Sequence, residues 1–249
     1  MTTAQRYAAI SFDVGYTLIE PYLEAPQIVA ALLAEHQIYP QPEQLALAHQ
    51  RAERFFLEDY FRPLNDTWTA DALIHGFYER YYARFLADLG VAEGDGPQGA
   101  AIIGRYLAPD NWKLYPDVLA TLTELHSAGY RMGIASDWGS NLNRILHALG
   151  LSRYLEWAVV SGNMGFAKPS PQFYRLVAER ASLPAAQILH IGDSYYGDVR
   201  GARTVGMDAL LINRHRRDWP SLDVPVITTL AELPAYLAAH QPVSTSDTP

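Results

Sequence analysis

Short apolar runs set the rhythm of this chain, at Ala8 to Phe12, Met132 to Ala135, Ala158 to Ser161, Ile188 to Ile191 and Ala209 to Ile212. Each is too short for a helix and reads as a buried strand. From Asp117 onward they alternate with helical patterns over Asp117 to Ala128, Ser140 to Leu149, Pro171 to Ala181 and Asp198 to Val205. Alternation of this kind is the signature of a parallel sheet with right-handed crossovers, so an α/β, doubly wound, Rossmann-like core is expected. Local punctuation agrees. Ser170 is a helix N-cap with Pro171 at the first helical position, and Gly206 is a C-terminal stop.

Between the first two runs the rhythm breaks. Residues 21–109 are rich in Ala, Leu, Glu, Tyr and Phe and contain no convincing strand, so they read as an inserted helical cap. The core domain is then 1–20 together with 110–240, and 241–249 forms a polar tail expected to be disordered. Within the cap, Leu73, Phe77, Tyr81, Phe85 and Leu89 recur every four residues and predict one apolar helix face. Gly94-Asp95-Gly96-Pro97-Gln98-Gly99 has the spacing of a dinucleotide fingerprint. It follows a helix instead of a strand and contains a proline, so it reads as a loop.

A formal net charge of -8 argues against nucleic-acid and anionic-membrane partners, which need a basic surface. Cysteine is absent, which excludes disulfides, thiolate metal sites and a cysteine nucleophile. The first residues carry no charged segment followed by an apolar one, and no apolar run reaches membrane length, so a cytoplasmic address is expected. Oligomeric state leaves no mark in the sequence.

Four polar positions follow apolar runs, at the edge where open α/β sheets bind ligands. Asp13 leaves the first run into Val14-Gly15-Tyr16-Thr17; taken alone, it suits a turn as well as a catalytic site. Ser136, followed by Asp137, comes directly after the second run. Its hydroxyl can hold a phosphate oxygen or cap the next helix, although Ser140 is better placed as the cap. Lys168, in Ala167-Lys168-Pro169-Ser170, is with Lys113 one of only two lysines among 19 basic residues, and a compact ammonium suits a point-charge role. Gly192 to Asp198 places Asp193 and Asp198 five apart around a turn. Three carboxylates in one crevice would raise at least one pKa unless a cation were present. Hard oxygen donors of this kind suit Mg²⁺.

Together the four motifs resemble the haloacid dehalogenase-like hydrolases over nearly the whole chain. The family pattern D-x-D-x-T looks like Asp13 to Thr17, the strand-end Ser or Thr like Ser136, the Lys-Pro signal like Lys168-Pro169, and G-D-S-x-x-x-D like Gly192 to Asp198, in family order. The helical insertion resembles the family's smaller cap. The resemblance implies a phosphatase acting on a small phosphorylated metabolite. Asp13 would attack phosphorus to form an aspartyl-phosphate that water hydrolyses. Mg²⁺ would be held by Asp13, Asp193 and the Gly15 carbonyl, with Asp198 a metal or water contact one step removed. Ser136 and Lys168 would hold phosphoryl oxygens.

One position departs from the pattern. Two residues after the nucleophile, such phosphatases carry an Asp that protonates the leaving oxygen; here it is Gly15. Acid-base catalysis contributes about 10² to 10⁴ in rate, and its loss would fall hardest on alkyl phosphates. One reason for a glycine is a positive φ, at which any side chain strains the turn. Asp137 also stands where such proteins often carry Asn. The competing readings are a ligand-binding or interaction protein that keeps the fold, and a 2-haloacid dehalogenase, which would use an aromatic residue two after the nucleophile and no metal. Selectivity is expected from cap side chains such as Arg51, Arg54, Tyr60 or Arg62.

Overall fold

The computed structural model describes residues 5–62, 65–92, 94–216, 218 and 222–241. The chain opens with β1 (Ala9–Phe12) and β2 (Ile19–Pro21), then runs through four helices, α1 (Ala25–Glu35), α2 (Pro42–Tyr60), α3 (Asp71–Asp88) and α4 (Gly99–Tyr106). It continues with β3 (Trp112–Leu114), α5 (Val118–Ser127), β4 (Arg131–Ser136), α6 (Leu142–Ala148), β5 (Trp157–Val160), α7 (Pro171–Ala181) and β6 (Ile188–Gly192). A π-helical turn, Tyr195–Arg200, leads into the short α8 (Gly201–Arg203), followed by β7 (Asp208–Ile212), β8 (Val226–Ile227) and α9 (Leu233–Ala239).

Six strands form one sheet in the order β5-β4-β1-β6-β7-β8, and every pairing in it is parallel. All five apolar runs are strands of this sheet, which confirms the doubly wound core. Parallel strands have helices on both faces and so need apolar side chains on both, which is why the runs do not alternate. On one face Phe12, Ile134, Leu122 and Leu233 belong to one apolar cluster. On the other, Ala135, Phe173, Tyr174 and Val177 belong to a second. The chain lays strands to one side of β1 and later to the other, so the strand order reverses at β1. The crevice beyond its C-terminal end is the ligand position for this architecture.

Helices α1 to α4 bury an apolar cluster of their own, centred on Ile28, Leu33, Phe77, Phe85 and Ile102. The chain leaves for this block and returns from it side by side, because β2 and β3 pair antiparallel with Ile19 opposite Leu114. This two-stranded ribbon was not legible in the apolar pattern, since each strand has only three residues. The stripe on α3 is only partly as expected. Phe77, Tyr81 and Phe85 are buried, but Leu73 is 43% exposed and Ile74 takes its place. Steps of four overshoot the 3.6-residue turn, so the expected row drifts off the face at its start. Gly94 sits in a turn at φ 93, and Gly99 opens α4, so the fingerprint spacing is a loop leading into a helix.

Two further local expectations need correction. The helix expected from Asp198 to Val205 is a π turn followed by a short α segment. The Val199 N–H reaches back five residues to the Ser194 carbonyl at 3.2 Å, while Ser194 Oγ caps the Gly197 N–H at 2.9 Å. Ser140 does not cap α6; its own N–H donates to Asp71 Oδ1 on α3 at 2.8 Å. The cap at Ser170 is present, its Oγ accepting the Gln172 N–H at 3.2 Å. Gly206 has the expected positive φ of 83. Gln241 is anchored to Tyr130 and the Leu237 carbonyl, while the remainder of the tail, 242–249, lies outside the described residues. Among the described residues no helix is long and apolar enough to cross a membrane.

Candidate active site

At the end of β1 the Asp13 N–H still bonds the Ile191 carbonyl of β6 at 2.8 Å, so the backbone carrying this carboxylate is fixed by the sheet. Immediately afterwards the chain folds tightly. The N–H groups of Thr17, Leu18 and Ile19 all converge on the Val14 carbonyl, and the Tyr16 N–H bonds the Ile19 carbonyl at 2.7 Å. None of these bonds uses the Gly15 carbonyl. The left-handed residue of this turn is Tyr16, at φ 53. Gly15 is not in that region, so a positive φ does not explain the glycine.

Asp13 is buried and receives three side-chain donors. Lys168 Nζ reaches Oδ1 at 2.7 Å, Ser136 Oγ the same oxygen at 3.0 Å, and Thr17 Oγ1 reaches Oδ2 at 3.3 Å. The Ser136 hydroxyl is therefore spent on Asp13 and not on a helix cap. Lys168 Nζ also bonds Asp198 Oδ1 at 2.5 Å. Asp198 accepts in addition from His190 Nε2 at 3.0 Å and from the Ser194 N–H at 2.9 Å. The two acids thus share one ammonium, and each receives three of these donors, with His190 serving Asp198 alone.

Their ionisation nevertheless differs in direction. Burial pushes the Asp13 carboxyl up more than Lys168 pulls it down, so it lies above the ordinary carboxylate value. Burial also opposes the charge on Asp198, but Lys168 and His190 outweigh it and hold this carboxyl well below the usual range. Burial alone would favour loss of the Lys168 proton; Asp13 and Asp198 reverse this and keep it firmly charged. Oxygen atoms of Asp13, Asp193 and Asp198 all lie within 4.8 Å of one another. Such a hard, anionic donor set fits a divalent cation such as Mg²⁺.

Several contributors were not found from the sequence. His190, inside β6 and wholly buried, spans Ser11 Oγ at 3.2 Å and Asp198. Arg214, two residues past β7, donates from Nε to the Thr17 carbonyl at 2.8 Å and pairs with both oxygens of Asp117 at 3.1 Å. It pins the turn that carries Asp13. Trp138 lies against Gly15, where an added Cβ would stand 3.1 Å from the indole ring. Asp137 Oδ1 accepts the Lys168 N–H at 3.0 Å. Burial, resisted by Lys168, pushes this carboxyl up to about 7.

From the helical block, Tyr60 alone of the four expected selectivity residues has a contact to the crevice motifs; its hydroxyl lies 3.2 Å from Ser194 Oγ. Arg51 pairs with Asp88 at 3.2 Å, Arg62 with Asp59 and Asp66, and Arg54 is exposed. A cavity of about 230 Å³ lies between α3, the end of α4 and the loop after β4, lined by Asp71, Ile74, Tyr78, Leu107, Ser140 and Asn141 among others.

A zebrafish (Danio rerio) haloacid dehalogenase-like hydrolase domain-containing protein 3 is 32% identical over 136 residues, 53% of this chain and 56% of that protein, so about half of the relative's length is matched. A phosphoserine phosphatase of Thermus thermophilus is 27% identical over 190 residues, covering 75% of this chain and 73% of that protein. Among solved structures, a HAD phosphatase from Thermococcus onnurineus superposes with a TM-score of 0.64 at 26% identity, over 94% of this chain and 99% of that one. A model of the haloacid dehalogenase-like hydrolases matches residues 7–206, a span that contains all four strand-end motifs, and on that match the chain belongs to the haloacid dehalogenase-like hydrolase family.

Proposed function

We propose that the protein is a Mg²⁺-dependent phosphatase of small phosphorylated metabolites, with residues 21–109 acting as a cap over a core made of 1–20 and 110–240. The observation that carries this reading is the convergence of Lys168 Nζ and Ser136 Oγ on one oxygen of Asp13, at 2.7 and 3.0 Å, beside the three-carboxylate cluster. A carboxylate so placed is a nucleophile held in position, and the same two donors suit the oxygens of a phosphoryl group drawn up to it. Asp13 and Asp193, with the Gly15 carbonyl, are the proposed metal ligands. The metal, when bound, supplies charge neutralisation between carboxylate and phosphate. Asp198 is the post that holds Lys168, its Oδ1 already taken by two donors. The phosphatases among the relatives favour this chemistry.

The bare Gly15 favours a second reading, a ligand-binding protein that has kept the crevice. One assay separates the two. With p-nitrophenyl phosphate and millimolar Mg²⁺, the native protein is expected to turn over, to stop with chelator, and to lose at least about 10³-fold on Asp13→Asn, the scale of losing a nucleophile. Turnover unchanged in Asp13→Asn refutes the assignment, and no turnover in the native protein moves the conclusion to the binding reading.

A further inference from the structure

Position 15 offers the crevice no side chain for proton transfer, and the Trp138 ring stands against it. The adjoining strand end carries a carboxyl that nothing yet accounts for. Asp137 follows Ser136, whose hydroxyl is 3.0 Å from Asp13 Oδ1, so its backbone stands at the edge of the reaction site. Its Oδ1 is fixed by the Lys168 N–H at 3.0 Å. Its Oδ2 is buried and, among the described residues, has no hydrogen-bond partner. A buried carboxylate oxygen with no donor is an expensive anion, and a proton on that oxygen removes the cost.

We propose that Asp137 is the proton donor of this active site, delivering from Oδ2 to the leaving oxygen in place of the side chain that Gly15 lacks. The inference rests on the phosphatase reading above. In the first step Asp13 bonds to phosphorus and the bond from phosphorus to the leaving oxygen breaks, while the Asp137 proton passes to that oxygen and an alcohol departs. In the second, water loses a proton to the Asp137 carboxylate as its oxygen bonds to phosphorus. The aspartyl-phosphate bond breaks, releasing inorganic phosphate and restoring both side chains. The groups bearing on Asp137 are Lys168 from the loop before α7, Asp13 and Asp198 from the crevice floor, Tyr60 from α2 and Tyr174 from α7. Lys168 favours the charged form, while burial and the two acids favour the protonated one.

The test compares p-nitrophenyl phosphate with phenyl phosphate, which differ little in shape but strongly in how much the leaving oxygen needs a proton. The native protein is expected to hydrolyse both at comparable rates. Asp137→Asn keeps an oxygen for the Lys168 N–H and is expected to lower kcat/KM, which reports only the steps up to the aspartyl-phosphate, by about 10²-fold more for phenyl phosphate than for p-nitrophenyl phosphate; Asp137→Ala should give the same ratio, while the later attack of water slows alike for both substrates. A native kcat/KM ratio already as large as the variant's, or a variant that lowers the two kcat/KM values by the same factor, overturns the proposal. Native turnover that depends on Asp13 but keeps its ratio in Asp137→Asn overturns it while leaving the phosphatase reading intact. Absence of any native turnover defeats that reading and this inference with it. The native ratio is read without mutation, so a variant that fails to fold does not block the decision.

Discussion

The crevice and the helical block bury opposite kinds of surface. At the strand ends, Asp13, Lys168, Asp198 and His190 are taken out of water, and each is matched by a specific partner within 3.0 Å. In the block, the buried groups are mainly aromatic and aliphatic. Phe55 stacks on Phe77 at 5.3 Å and Phe56 meets Trp68 edge-on at 5.7 Å, while the charged pairs stay at the surface, as with Arg51 and Asp88. Buried ions require defined partners, whereas apolar packing accepts many solutions of similar volume. The crevice is therefore specified residue by residue, and the block by its volume and pattern.

Three substitutions test that contrast. Lys168→Met leaves two buried acids without their shared cation. It is expected to cost about 3 to 5 kcal/mol of stability, as when one partner of a buried pair is removed, and roughly 10²- to 10³-fold in turnover, as when a stabilising donor is lost. Chemical denaturation and p-nitrophenyl phosphate kinetics measure the two, and a stability change below ~1 kcal/mol would show that the pair is not as specified as described. Phe77→Ala, in the centre of the block, is also expected to cost about 3 to 5 kcal/mol through a cavity. Activity per folded molecule on so small a substrate should fall far less than for Lys168→Met, and an equal fall would erase the distinction between the regions. Arg51→Ala, breaking an exposed pair, should change stability by less than about 0.5 kcal/mol. A melting curve shifted by much more would mean that surface charge holds the block together.

Legibility in the sequence follows the same division. The sheet could be read because parallel strands are continuously apolar. Asp13, Ser136, Lys168 and Asp198 could be read because each follows such a strand, and the structure brings all four together; the three-carboxylate cluster adds Asp193. His190 was missed although it interrupts the run Ile188 to Ile191, where a polar residue in a buried strand is itself a signal. Arg214 was missed although it lies two residues beyond β7 and obeys the strand-end rule used for the others. The expected arginines of the helical block gave no guide to the crevice, because helix periodicity states which face is apolar and says nothing about where a long polar side chain ends. Tyr60 reaches Ser194 from the last residue of α2, a placement set by how two separate parts of the fold meet.

The contact between Gly15 and Trp138 bears on how this site can change over generations. A side chain at position 15 would place its Cβ 3.1 Å from an indole that also packs edge-on against Trp112 at 4.8 Å, so the ring would have to give by a few tenths of an ångström. Shrinking residue 138 first would instead open a cavity beside the turn. The energies of the two changes do not add, because the two side chains claim the same volume. The glycine and the tryptophan are therefore coupled positions. What residue 15 can become is set by how far the ring at 138 can yield.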